Sequence, residues 1–142
     1  MKKFSIIILS LILGLSGCKS KIGNISEVKK QVVFPGVSQG KIYMKYSAKI
    51  ELFKPVKISS VKIITVENEI PVTDFSITDL KTGKILKNDM EIPAGMFFFN
   101  TDLEKTPGLE KDGDYLQINI QNGEKTETFK IAVVKGQPIM HR

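Results

Sequence analysis

An all-β fold is what this sequence predicts: an immunoglobulin-like antiparallel sandwich of about seven or eight strands after an N-terminal signal peptide. Three observations carry it. Apolar and polar residues alternate over several short stretches, the period of a strand with one buried face. Turn formers punctuate the chain at roughly the 8–12-residue spacing of sandwich strands. They are Pro35-Gly36, Gln39-Gly40, Lys54-Pro55, Ile70-Pro71, Thr82-Gly83, Pro93-Ala94-Gly95, Pro107-Gly108, Asp112-Gly113 and Asn122-Gly123. No long run beyond the first residues keeps a helical period. One cysteine and no tryptophan exclude the Cys…Trp…Cys core of antibody domains and leave the other immunoglobulin-like sandwiches.

The chain opens with Lys2 and Lys3, an apolar run from Phe4 to Leu15 broken by Ser10 and Gly14, and then Ser16 and Gly17. This is the three-part layout of a secretory signal, residues 1–17. As a helix at ~1.5 Å per residue the run reaches only about 20 Å, too short for a hydrocarbon core of ~30 Å. It ends in Leu15-Ser16-Gly17-Cys18, which resembles the lipobox of bacterial lipoproteins. The resemblance implies cleavage between Gly17 and Cys18, a diacylglycerol in thioether linkage on Cys18, and acylation of the new α-amine. The expected partner is therefore a membrane, reached through covalent lipid. One acyl chain holds only marginally, whereas two or three on one residue make a lasting anchor. Lys19-Ser20-Lys21-Ile22-Gly23-Asn24 contains no acid. In a two-membrane cell, the resemblance then favours the outer membrane, facing the periplasm.

Residues 18–29 are polar apart from Ile22, Ile25 and Val28 and read as a lipidated cysteine with a flexible tether. A short helix over 25–31 is the alternative there. The β domain is expected over 30–142. Its clearest strand is 41–53: Ile42, Met44, Tyr46, Ala48, Ile50 and Leu52 share one face, and Lys41, Tyr43, Lys45, Ser47, Lys49 and Glu51 the other. In 56–67 the phase slips between Ile58 and Val61, and a β-bulge at Ser59-Ser60 restores one buried face. Strands follow at 72–80, with Phe75 and Ile77 in phase, at 84–86, at 96–103 and at 115–121, where Leu116, Ile118 and Ile120 point inward. Another follows at 127–134 with Phe129, Ile131 and Val133. Asn122-Gly123 suits a two-residue type I′ turn, and a hairpin closed there pairs Leu116 with Phe129.

Composition argues against most chemistry. Assigning Cys18 to lipid leaves no thiol for a disulfide, a nucleophile or a metal. The one histidine, His141, is next to last, where a chain end is too mobile to hold a triad or a metal shell. The acids Asp74, Asp79, Asp89, Asp102, Asp112 and Asp114 sit near strand ends, and sequence assembles no facing pair of the kind a glycosidase needs. Glu110-Lys111-Asp112-Gly113-Asp114 has too few oxygens in step for a calcium loop and reads as a turn, as does Glu67-Asn68-Glu69. No catalytic residue, metal or cofactor is expected. The net charge of +6 is almost all lysine, Arg142 being the only arginine. That is poor equipment for reading nucleic acid.

Two surface features remain. Lys41, Tyr43, Lys45 and Lys49 lie on the outward face of the long strand. Phe98 must point opposite to Phe97 and Phe99, so it is either covered or offered to a partner. A membrane-anchored, non-enzymatic envelope module that binds a protein is the leading expectation. The alternatives are a binder of an anionic glycan or lipid through the lysine–tyrosine face, and a small periplasmic inhibitor or immunity protein.

Overall fold

The computed structural model describes residues 18–19, 21–36, 40–86 and 90–140. The expected signal peptide, the side chain of Cys18, Asp89 and His141 lie outside the described residues. In chain order the elements are β1 (Cys18–Lys19), β2 (Gly23–Phe34), β3 (Tyr43–Leu52), β4 (Lys57–Ile64), β5 (Glu69–Pro71), β6 (Ser76–Asp79) and β7 (Ile85–Leu86). They continue with β8 (Gly95–Glu104), the one-turn helix α1 (Pro107–Glu110), β9 (Tyr115–Asn122), β10 (Lys125–Ala132), β11 (Val134–Lys135) and β12 (Ile139–Met140).

Among the described residues the strands form two sheets. The larger runs β1-β2-β3-β8-β6-β7, with β11 and β12 also along the β2 edge; the smaller runs β10-β9-β4-β5. Order β2-β3-β8-β6 against β10-β9-β4 is the A-B-E-D against G-F-C arrangement of an immunoglobulin sandwich, with β5 added beyond β4. The inward parities meet between the sheets. Met44, Tyr46, Ala48, Ile50, Phe97 and Phe99 face Val61, Ile63, Leu116, Ile118, Ile120 and Phe129, all buried. Phe75 adds a tilted ring contact to Phe99, centroids 5.4 Å apart. Burying each such side chain contributes about 1.5–3 kcal/mol.

The expected bulge in β4 is present: Ile58 pairs with Ile120 and Ser60 with Asn119, leaving Ser59 extra. The hairpin register is corrected. Lys125 pairs with Asn122, so the loop is Gly123-Glu124, and Leu116 faces Ile131 while Phe129 faces Ile118. Gly123 has φ +62 and Glu124 does not enter positive φ. Glycine first is the pattern of a type II′ turn rather than I′. Asn122 stays in the strand, where its side-chain amide donates to the Pro55 carbonyl at 2.7 Å.

The tether is also corrected. Strand β2 begins at Gly23, and Ile22, Ile25 and Val28 are core residues. No helix forms over 25–31. A second bulge hides this strand from a period-two reading: Ser26 pairs with Lys49 and Lys29 with Ser47, so Glu27 and Val28 oppose Ala48 alone. Glu27 takes φ +53 to make the bulge, an unusual position for a residue with a Cβ. Parity flips there, so that Ile25 before the bulge and Val28 after it both face inward. Upstream, Cys18 pairs with Ile25 and Lys19 with Asn24.

The sandwich thus has two distinct ends. At the basal end lie the start of β2, the β3–β4 connection and the β9–β10 turn, tied by the Phe53 N–H to Ile22 carbonyl bond of 2.8 Å and the Val56–Ile92 bridge. At the corner end, β8 crosses through α1 to β9.

Candidate interaction surfaces and a buried charged cluster

The outward parity of the larger sheet holds the residues the sequence singled out. Tyr43, Lys45 and Lys49 lie on β3, and Phe98 on β8 is the direct cross-strand neighbour of Lys49. All four are partly exposed, while Phe97 and Phe99 are core. Lys41 precedes the strand and reaches Glu104 at 3.7 Å. The face is not uniformly basic, because Lys45 stands opposite Asp102, Tyr43 opposite Glu104, and Glu51 opposite Met96. Between Lys45 and Lys49, Ser47 is buried although it points outward. Asn100 stands opposite Ser47, and its Oδ1 is buried without a hydrogen-bond partner among the described residues. The patch is therefore a half-buried aromatic, flanked by lysines and acids that stand opposite one another across β3 and β8 and by an unsatisfied acceptor.

A second feature was not read from the sequence. Lys30, on the inward face of β2, is 1% exposed, and Asp114 is 2% exposed. Lys30 Nζ donates to Asp114 Oδ1 at 3.0 Å, to the Leu109 carbonyl at 2.9 Å and to the Lys111 carbonyl at 2.6 Å. Three acceptors match the three N–H bonds of an ammonium group. Asp114 Oδ2 accepts the Tyr46 hydroxyl at 2.9 Å. Burial first, then the adjacent Asp114 carboxylate, pushes the Tyr46 phenol well above its ordinary range. The cluster ties β2, β3 and the α1–β9 corner together and receives carbonyls that the one-turn helix leaves unpaired. With every donor matched and little room for a ligand, it is a structural clamp. The sequence held a signal for it: Asp114 shares the inward parity of Leu116, Ile118 and Ile120, and Tyr46 sits in an otherwise apolar face. Only Lys30 was hidden, its parity depending on the Glu27 bulge.

Asp112 is exposed at the corner turn, apart from the buried Asp114. Among the described residues no group of three or more His, Cys, Asp and Glu side chains is placed to hold a metal. An open groove of about 440 Å³ flanks the β4 bulge, lined by Ile58, Ser59, Ser60, Val72, Thr73 and Phe75 among others. No described helix is long and apolar enough to cross a membrane. No family model, curated protein or solved structure matches the chain.

Proposed function

We propose that this protein is a non-enzymatic lipoprotein of the cell envelope, held to the membrane by lipid on Cys18, whose sandwich binds a protein partner through the outer face of the larger sheet. In a two-membrane cell its place is the outer membrane, facing the periplasm. The observation that carries the binding reading is the composition of that face. Lys49 beside Phe98, Lys45 opposite Asp102 and Tyr43 opposite Glu104 combine an aromatic anchor with alternating charge. Protein interfaces favour aromatics at the centre with a polar rim. A polyanionic glycan would instead meet Asp102 and Glu104 as like charges, which cost affinity.

The test places a photo-crosslinking amino acid at Phe98 and, separately, at Thr126 on the exposed side of the smaller sheet, in cells carrying the full chain. A discrete protein adduct from position 98 and none from 126 is expected. Free monomer from both positions under several growth conditions would remove the protein-partner reading. The glycan alternative makes a different prediction: Lys45→Glu with Lys49→Glu weakens binding to an anionic envelope polymer, in a salt-sensitive way.

A further inference from the structure

We infer that the basal end of the sandwich is a contact surface for an anionic phospholipid bilayer, with Phe53 entering the headgroup layer and Lys21, Lys54, Lys57 and Lys125 lying over the phosphates. The inference rests on the reading of Cys18 as the lipidated residue, and its test separates the two. Three observations meet at this end. The first is the path of the chain. Cys18 pairs with Ile25, two residues inside the start of β2 at Gly23, which is about 7 Å along a strand. No free tether intervenes, so lipid on Cys18 holds this end against the bilayer rather than letting the domain swing.

The second is an exposed aromatic. Phe53 is 45% exposed while its backbone is fixed by the bond to Ile22, so the ring is presented from a rigid turn. The third is charge. Four ion pairs gather toward the corner end: Lys41–Glu104, Lys62–Glu69, Lys105–Glu110 and Lys111–Glu67. At the basal end, Lys21, Lys54, Lys57 and Lys125 are exposed and make no ion pair with a described residue. Glu51, Glu91 and Glu124 share that end and temper its charge, again without an ion pair to a described residue. Unpaired lysines around a projecting aromatic suit an anionic interface, where each near-surface lysine strengthens binding about fivefold.

The chain has no tryptophan, so a single introduced one reports depth. Phe53→Trp is compared with Val66→Trp, the latter at the corner end and 76% exposed. Full chain purified from membranes is reconstituted with vesicles of phosphatidylglycerol and phosphatidylcholine carrying brominated acyl chains. Intact mass reports independently whether Cys18 bears lipid. Quenching at position 53 and not at 66 is expected. In the 53 reporter, Lys54→Glu with Lys57→Glu should remove most of that quenching at physiological salt, and high salt should do the same to the unchanged lysines. Equal quenching at both positions, or none at either, overturns the surface, whatever the mass shows. Quenching at 53 in a chain without lipid keeps the surface and removes the anchor. A lipidated chain without that quenching does the reverse.

Discussion

The two ends of the sandwich solve the same problem, where to put charge, in opposite ways. At the corner end several charges are matched within the molecule. Lys30 and Asp114 are buried with every donor taken, and the surface lysines there reach acids at 2.7–3.7 Å. At the basal end Lys21, Lys54, Lys57 and Lys125 make no ion pair with a described residue and surround an exposed phenylalanine. Burying an ion pair costs desolvation that only good geometry and added hydrogen bonds repay, so the corner end has spent its polar groups on holding the fold. The basal end holds its backbone with Asn122 and Pro55 and leaves its exposed lysines out of that work, so substitutions of those lysines are free to report on binding.

That contrast can be broken most sharply at Lys30. Lys30→Met strands a buried carboxylate and should lower unfolding free energy by about 3–5 kcal/mol in urea titrations. Pairing it with Asp114→Leu should recover much of the loss, because both charges then leave the core together. Tyr46→Phe removes a hydrogen bond to a charged acceptor and should cost about 1.5–3 kcal/mol. The same phenol sets a pH dependence. In the unfolded chain it titrates near its ordinary value of 10.0, while in the folded chain it stays protonated to higher pH. The unfolded state therefore sheds protons first, and stability should fall as pH rises past about 10. Tyr46→Phe should flatten that fall in urea midpoints taken across the range.

Gly23→Ala probes the basal end's backbone. A Cβ there would lie 2.5 Å from the Glu51 carbonyl oxygen, forcing the start of β2 off β3 at a cost of about 1–3 kcal/mol. Hydrogen exchange should then rise around residues 22–25 before it rises elsewhere. By contrast, Lys54→Glu and Lys57→Glu should change stability by less than about 0.5 kcal/mol, and a larger loss would show that the basal lysines serve the fold. The smallest effect belongs to the exposed pairs. Lys111 holds the Glu67 carboxyl, and Lys105 the Glu110 carboxyl, below the usual carboxylate range. Their contribution is present above the ordinary value of 4.5 and is lost as pH falls below it. Solvent screening keeps that contribution small even where it is present, so Glu67→Gln should leave the melting temperature at neutral pH unchanged within error.

How much of this was legible depended on whether a strand kept its period. The run around Met44–Leu52 and the run from Leu116 to Ile120 alternate without interruption and lie as the sequence indicates. The β4 bulge was also legible, because Ser59-Ser60 sits between two clear apolar pairs. Strand β2 was not: Glu27 inserts a residue in left-handed backbone, and a window across it sees only scattered Ile22, Ile25 and Val28. The same insertion disguised Lys30 as a polar residue at a domain edge. The hairpin turn lies one residue later than local turn chemistry indicates: Asn122 stays in the strand and its amide meets Pro55 across the basal end, a contact no local window contains. For the surfaces, alternation alone placed Tyr43, Lys45, Lys49 and Phe98 on one side of their strands. That Lys49 and Phe98 are neighbours, and that acids stand opposite Tyr43 and Lys45, required the β3–β8 register.

The proposed anchor on Cys18 underlies both the proposed function and the orientation inferred for the basal end, and intact-mass spectrometry of protein extracted from native membranes tests it most directly. The expected species begins at Cys18 and carries a diacylglyceryl thioether and an amide-linked acyl chain. A chain still bearing residues 1–17, or one cut elsewhere with Cys18 unmodified, would contradict it.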